Sequence, residues 1–186
     1  MQIQATDCKA GTRCEIKGEL YVCTDYVQQA QGRGRGIINL RLRNLRTGNV
    51  QEMRFRSNET IERVIFDNRK MEYLYQDESG YVFMDLENFE QIPVPETVVS
   101  DLAQYLKPNT EVEVSFYKDE PVLIDIGDFV ELAVVDAPPG LKGDTATGAT
   151  KTVTLETGLQ INVPLFINEG DVLKIDTRSG EYVGRA

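Results

Sequence analysis

Residues 31–36, Gln-Gly-Arg-Gly-Arg-Gly, form the segment of the sequence best suited to contact an anionic partner. Its glycines are Gly32, Gly34 and Gly36, and its arginines are Arg33 and Arg35. Glycine permits positive φ and close approach of the backbone to another surface. Arginine can donate paired hydrogen bonds to phosphate or stack on a base. Taken alone, the segment is equally typical of a flexible polar turn between two strands.

The residues that follow this segment alternate with a period of two. Ile38, Leu40 and Leu42 point to one side of the predicted strand, so the polar positions between them point to the other. A second strand follows the turn at 46–49 and continues the pattern. One face of the hairpin is therefore predicted to carry four arginines: Arg41, Arg43, Arg54 and Arg56. A solvated face usually mixes charge signs, so this pattern favours phosphate contact.

Nucleotide-binding fingerprints are excluded at both glycine-rich segments. The glycines at 32–36 precede a predicted strand rather than a helix, which argues against a dinucleotide or ATP site. Gly143, Asp144 and Thr145 lack the Gly-Lys-Ser/Thr ending of a P-loop. By composition, residues 137–151 favour a solvated crossover between strands.

Histidine, cysteine and paired carboxylates are the residues that enzymes and metal sites most often use. Their pattern in this chain gives little support for an enzyme or for a metal site. The chain has no histidine, which excludes His-based triads and zinc bound by Cys and His. Three cysteines without a CxxC pair favour buried free thiols, although three thiolates could formally hold a metal. The carboxylate pairs fall at predicted turns, where solvated charge is the expected role: Asp77/Glu78, Glu87/Glu90 and Asp119/Glu120. We therefore predict no enzymatic activity, no metal and no cofactor.

Charge is divided unevenly along the 186 residues. The formal net charge is −10. Residues 1–64 carry +4, residues 65–127 carry −10 and residues 128–186 carry −4. This asymmetry predicts that the first part of the chain meets an anionic partner while the middle part avoids one.

Short alternating segments between Gly, Asp and Asn turns predict an all-β chain. Residues 96–106 are the one credible helix, since Val98, Val99, Leu102 and Tyr105 have helical spacing. A helix inserted into a five-stranded barrel suits an OB fold. We predict three domains of about 60 residues each, at 1–64, 65–127 and 128–186. No apolar run reaches the ~18–20 residues of a membrane span, and no secretory signal is visible, so a cytoplasmic protein is expected.

Several motifs resemble bacterial elongation factor P. Residues 151–170 (KTVTLETGLQINVPLFINEG) are similar to the family signature at every defined position. Residues 140–145 and 176–183 also resemble the family. Shorter upstream matches occur in the same order and spacing, at 45–48, 81–85 and 89–91. The resemblance covers essentially the whole chain.

The resemblance implies one KOW/SH3-like barrel followed by two OB-fold barrels, arranged as an elongated L. It also implies a monomer that binds the 70S ribosome between the P and E sites when consecutive prolines stall peptide-bond formation. The implied partners are rRNA, the peptidyl-tRNA in the P site and the E-site mRNA codon. Gly143, Asp144 and Thr145 match the family loop near that codon. Tyr182 and Arg185 match positions near the P-site tRNA.

Arg33 matches the family's tip residue, which reaches toward the CCA end of peptidyl-tRNA. Many members carry a lysine at this position that is modified by β-lysylation. This chain has arginine there, so that modification is impossible. Another branch carries an arginine that a rhamnosyltransferase modifies, in a Gly-Arg-Asn setting that differs from this one. The sequence leaves rhamnosylated and unmodified Arg33 equally open, and it does not divide the work between Arg33 and Arg35.

Two other functions are weighed against this one. A general RNA-binding OB-fold protein predicts exposed stacking aromatics, yet Tyr73, Tyr75, Tyr81, Phe83 and Phe116 fall in the acidic part of the chain. A hydrolase would use one of the carboxylate pairs, and it has less support.

Overall fold

The computed structural model describes residues 1–29, 36–139 and 149–186. Strands dominate, in three separate sheets. By their contacts the described residues form two compact units. One comprises Met1–Asn68 with Ser115–Leu123, and the other comprises Arg69–Val114 with Ile124–Ala186. In the part of the chain that is described, no helix has the length and apolarity that crossing a membrane requires.

The first sheet has six strands in the order β1-β6-β2-β3-β4-β5. Their bounds are β1 Gln2–Gln4, β2 Arg13–Ile16, β3 Glu19–Gln29, β4 Ile37–Asn44, β5 Val50–Arg56 and β6 Thr60–Arg63. A short 3-10 helix, Ala5–Asp7, follows β1. The tight turn between β2 and β3 places Lys17 and Gly18 at positive φ, which is the geometry that suits the twist of a two-residue hairpin.

The core of this sheet is built from the alternation that the sequence shows. Ile38, Leu40 and Leu42 of β4 are buried together with the three cysteines. Burying one face of each strand leaves the alternate side chains in solvent. This is why the inward positions are apolar and the outward ones are polar or charged.

The second and third sheets have five strands each. Their orders are β11-β10-β7-β8-β9 and β14-β13-β12-β15-β16. The second comprises β7 Asp67–Asp77, β8 Gly80–Asp85, β9 Gln91–Val94, β10 Glu111–Tyr117 and β11 Glu120–Asp125. The third comprises β12 Phe129–Asp136, β13 Thr150–Leu155, β14 Gln160–Pro164, β15 Val172–Asp176 and β16 Tyr182–Arg185.

The predicted helix at 96–106 is present at residues 96–105, but only its first turn is α-helical. One α-helical turn, α1 (Glu96–Val99), is followed by a 3-10 helix at Ser100–Tyr105. Ser100 has φ of 48°, which interrupts regular α-helical geometry. The second part closes with a bond from the Leu106 N–H to the Ala103 carbonyl, three residues back. Val99 and Tyr105 are buried, as the spacing of the apolar residues predicts.

Candidate nucleic-acid interface

The arginine segment joins the ends of two paired strands. Strands β3 and β4 run antiparallel, and the last pair in their register is Gln29 with Ile37. Gly32, Arg33, Gly34 and Arg35 lie outside the described residues. Gly36 is described, and its carbonyl accepts a 2.9 Å hydrogen bond from the Ser57 N–H. The chain on both sides of the arginines is therefore fixed by the sheet.

The four arginines of the β4–β5 hairpin lie exposed on its outer face, opposite the buried Ile38, Leu40 and Leu42. These residues are Arg41, Arg43, Arg54 and Arg56. Their placement follows the predicted alternation, while their contact with phosphate stays a prediction.

Acidic side chains divide this basic face. Arg41 has two acidic register partners, Asp25 of β3 and Glu52 of β5, whereas Arg54 lies opposite the neutral Asn39. Directly paired residues on one face have Cβ atoms about 4.5–5.5 Å apart. Arg41 therefore faces acidic side chains directly across the sheet, whereas Arg54 has none directly opposite. The sequence pattern alone did not reveal this difference because it depends on register.

A hydrogen-bonded network fixes the base of the hairpin. The carboxylate of Glu19 accepts from the Tyr21 hydroxyl at 2.8 Å and from the Asn44 side-chain amide at 2.7 Å. The Gln51 amide donates to the Tyr21 hydroxyl at 2.9 Å. The Glu19 carboxylate also raises the pKa of Tyr21, since the phenol proton takes part in this bond. The network joins three strands, so the arginine face is held on a rigid support.

Arg185 of β16 is held by three groups from the connection between β14 and β15. Its guanidinium donates to the Phe166 carbonyl at 3.0 Å and pairs with Asp171 Oδ2 at 3.1 Å. It also lies over the Phe166 ring, 5.0 Å from the centroid. The side chain remains about half exposed, so it can still meet a partner. No local pattern in the sequence indicates that Asp171 and Phe166 support this side chain.

The structure describes only one of the other site residues that were predicted in the third sheet and its connections. Tyr182 is half-buried at the start of β16 and pairs with Ile175. Gly143, Asp144 and Thr145 lie outside the described residues. The strands on either side, β12 and β13, pair with each other.

The cysteines form a buried cluster in the core of the first sheet. Cys8, Cys14 and Cys23 are free thiols that are at most 1% exposed. Burial raises the pKa of Cys23 to about 12. Among the described residues, no group of three His, Cys, Asp or Glu side chains is arranged to hold a metal ion.

The carboxylate of Asp77 serves the β7–β8 turn. It accepts from the Ser79 N–H at 2.8 Å and from the Ser79 hydroxyl. These bonds hold the pKa of Asp77 below its usual value, because they stabilise the charged form. An exposed, ionised acceptor in a turn is poorly suited to act as a general acid.

Most aromatic residues of the acidic part are unavailable for base stacking. Tyr73, Tyr81, Phe83 and Phe116 are buried, whereas Tyr75 and Phe89 are exposed. Tyr73 packs against both Tyr81 and Phe83, with ring centroids 5.9 and 5.4 Å away. A stacking surface for single-stranded RNA requires exposed rings, so this arrangement disfavours a general RNA-binding OB-fold protein.

Comparison with known proteins gives matches along nearly the whole chain. Residues 4–61 match the family described as "Elongation factor P (EF-P) KOW-like domain", residues 66–124 match "Elongation factor P (EF-P) OB domain", and residues 130–185 match "Elongation factor P, C-terminal". Elongation factor P of Moorella thermoacetica is 44% identical over 184 residues, covering 99% of this chain and 100% of that protein.

Two solved structures share the fold over 67% of this chain. A eukaryotic translation initiation factor 5A from Methanococcus jannaschii has a TM-score of 0.52 at 22% identity, with 90% of that chain covered. A translation initiation factor eif-5a family protein from Naegleria fowleri has a TM-score of 0.54 at 14% identity, with 97% of that chain covered. The predicted all-β fold, with a KOW-like domain and OB domains, is confirmed. The chain belongs to the elongation factor P family of translation factors.

Proposed function

We propose that this translation factor binds the 70S ribosome between the P and E sites and promotes peptide-bond formation at consecutive prolines. The observation that carries the proposal is the position of the Arg33 segment. Along the chain this segment connects β3 and β4, which pair with each other, and the β4–β5 hairpin carries four exposed arginines. The 44% identity to an elongation factor P supports the same function.

The proposed mechanism is positional. A loosely held peptidyl-tRNA reacts slowly with proline, which is a poor acceptor. Contacts of Arg33 with the CCA end would hold the reacting groups in register and lower the entropic part of the barrier. The factor supplies orientation and performs no chemistry itself, so it is not an enzyme. The exposed arginines of β4 and β5 would contact rRNA and tRNA phosphates.

The contacts proposed for the third sheet would also position the factor on its RNA partners. Gly143, Asp144 and Thr145 would approach the E-site codon, and Tyr182 and Arg185 would contact the P-site tRNA. The pairing of Arg185 with Asp171 supports this role, since it holds a half-exposed guanidinium in one orientation. The domain boundaries at 64/65 and 127/128 stay a prediction, as do the monomeric state and the cytoplasmic location.

The tip arginine has two open states, rhamnosylated or unmodified. In the first case an arginine rhamnosyltransferase is a further partner. Peptide mass spectrometry of protein from its native host distinguishes the two states. A mass increase of one deoxyhexose on the Arg33 peptide shows rhamnosylation, and an unshifted peptide shows that the bare arginine acts.

A translation reporter with three consecutive prolines tests the function. Cells that lack their own factor are complemented with the wild-type chain, with Arg33→Ala, or with Arg35→Ala as the neighbouring control. We expect wild type to restore synthesis and Arg33→Ala to fail, while a reporter without prolines is unaffected. If Arg33→Ala restores synthesis as well as wild type does, the tip proposal is wrong.

A further inference from the structure

Three hairpin turns, one in each sheet, share a single six-residue geometry. They span residues 44–49, 85–90 and 176–181, and their first residues are Asn44, Asp85 and Asp176. In each, the N–H of the first residue donates to the carbonyl of the sixth, at 2.9, 2.9 and 3.0 Å. The N–H of the fifth residue donates back to the first carbonyl, at 2.9, 2.9 and 2.8 Å. The first side chain accepts from the third N–H at 2.8 Å in all three.

The fifth residue of the turn has positive φ in all three cases. It is glycine in two of them, Gly48 with φ of 71° and Gly180 with φ of 72°. In the second sheet it is Phe89, with φ of 61°. A side chain with a Cβ is disfavoured in this conformation, whereas glycine adopts it freely. The two glycine turns show that this geometry does not need a phenylalanine.

The Phe89 ring also contributes little to packing, because it is 69% exposed. The backbone cost at Phe89 is therefore not offset by burial of its ring. Such a combination indicates a role outside the fold itself. Aromatic side chains presented on rigid supports are typical of binding hot spots.

The charge of this turn differs from that of the other two at an equivalent position. The third residue is Arg46 in the first sheet and Arg178 in the third, but Glu87 in the second. Glu90, at the position where the third turn has Glu181, adds a second exposed carboxylate beside Phe89. Lys70, whose carbonyl accepts from the Leu86 N–H, is a cation on the adjoining strand. The exposed carboxylates repel phosphate and attract lysine and arginine.

We propose that Phe89, flanked by Glu87 and Glu90, is a docking point for a lysine- and arginine-rich ribosomal protein with an apolar pocket. This rests on the proposed function, since the partner is part of the ribosome. The ring fills the pocket while the two carboxylates pair with the basic rim. The acidic second sheet then contributes to binding, in addition to limiting contact with RNA.

Two variants separate this role from a structural one. Phe89→Gly gives the second turn the residue that its counterparts have, so we expect unchanged or higher thermal stability. Its affinity for purified 70S ribosomes should fall about tenfold or more, as for a binding hot spot. Glu87→Arg copies Arg46 and Arg178, so it should fold normally and bind more weakly. Val135→Ala removes another exposed apolar side chain and should bind like wild type.

The partner class is identified by a photoreactive benzoylphenylalanine at position 89, irradiated in the complex with 70S ribosomes. We expect a crosslinked species that is larger than the chain itself and keeps its size after ribonuclease treatment. A crosslink to RNA would mean that Phe89 stacks on a base, which overturns the proposal. Equal ribosome binding by wild type and Phe89→Gly also overturns it, but leaves the ribosomal function intact. If wild type itself fails to bind ribosomes, both proposals are wrong.

Discussion

The hydroxyl of Tyr117 donates a 2.6 Å hydrogen bond to the carboxylate of Glu15, 102 positions earlier in the chain. Lys118 adds an ion pair to the same carboxylate at 3.4 Å and lies over the Tyr117 ring. Phe66 packs against that ring, with centroids 6.1 Å apart. All four residues belong to one compact unit, in which this cluster fixes the tip of the β10–β11 hairpin on the first sheet.

This cluster predicts a specific acid sensitivity. The Tyr117 hydroxyl, and after it Lys118, hold the pKa of Glu15 below its usual value of about 4.3. A group whose pKa is lowered on folding adds stability above its unfolded pKa, and this stability is lost as the pH falls through the folded pKa. Glu15→Gln keeps a hydrogen-bond acceptor but no charge. We expect it to unfold at a lower temperature than wild type at pH 7, with the difference shrinking from about pH 4 downward.

The control for this prediction is Glu111→Gln, which removes an exposed carboxylate from β10. It should have little effect at either pH. If Glu15→Gln unfolds at the wild-type temperature at pH 7, the ion-paired cluster does not stabilise the hairpin tip.

Register predicts unequal contributions from the exposed arginines. Arg41 lies opposite Glu52 and Arg54 lies opposite Asn39. If both contact phosphate, Arg54→Ala should lower the salt dependence of ribosome binding by about one unit in the log–log slope, and Arg41→Ala by less. Binding is measured by fluorescence anisotropy at salt concentrations of about 50 to 200 mM. Equal slopes for the two variants would show that the acidic register partners do not offset Arg41.

Asp171 is predicted to matter through Arg185. Asp171→Asn keeps an oxygen for the 2.8 Å bond from the Asn168 N–H but removes the charge that pairs with Arg185. The loss of stability should be small, at most about 1 kcal/mol, because the ion pair is partly exposed. Rescue of the proline reporter should nevertheless fall toward that of Arg185→Ala. Asp128→Asn, which weakens the exposed pair with Arg178, is the matched control.

Most of the strands could be predicted because their apolar and polar residues alternate, and this alternation reflects the burial of one face of the sheet. Strand β12 occupies Phe129–Asp136, as the period-two pattern predicts. Strand β9, Gln91–Val94, escaped prediction because Pro93 interrupts a short segment. Proline is tolerated there because β9 is the edge strand of its sheet.

Only those features of the candidate site that depend on the local sequence pattern could be predicted. The outward positions of Arg41 and Arg43 follow from the alternation of β4 alone. The pairing of Arg41 with Glu52, and of Arg185 with Asp171, depends on register and on chain reversals that the pattern does not specify. The significance of Phe89 likewise required a comparison of backbone conformations at three turns.

The buried cysteines are predicted to be unreactive in the folded protein. Burial denies reagents access to all three thiols. It also raises the pKa of Cys23 to about 12, so little thiolate forms there at pH 8. The pKa of Cys14 is lowered by its hydrogen bond with Cys8, so its protection depends on burial alone. We expect a disulfide reagent such as dithionitrobenzoate to titrate no thiols in the native chain and all three cysteines of the sequence in denaturant. Rapid reaction of the native protein at pH 8 would show that the first sheet opens readily or that a thiol is accessible.

Alanine at the two glycine turns should separate backbone strain from steric contact. Gly48 and Gly180 have nearly the same φ, so the conformational cost of a Cβ, roughly 1–2 kcal/mol, is common to both. A Cβ at Gly48 meets nothing within 4 Å, but at Gly180 it would lie 3.3 Å from the hydroxyl oxygen of the buried Tyr105. Hydrogen exchange of the first amide in each turn, Asn44 or Asp176, measures local stability. We expect Gly180→Ala to cost more than Gly48→Ala, and Tyr105→Phe to remove the difference because it removes the atom that the Cβ approaches. Equal costs with Tyr105 intact would mean that this side chain moves away without penalty.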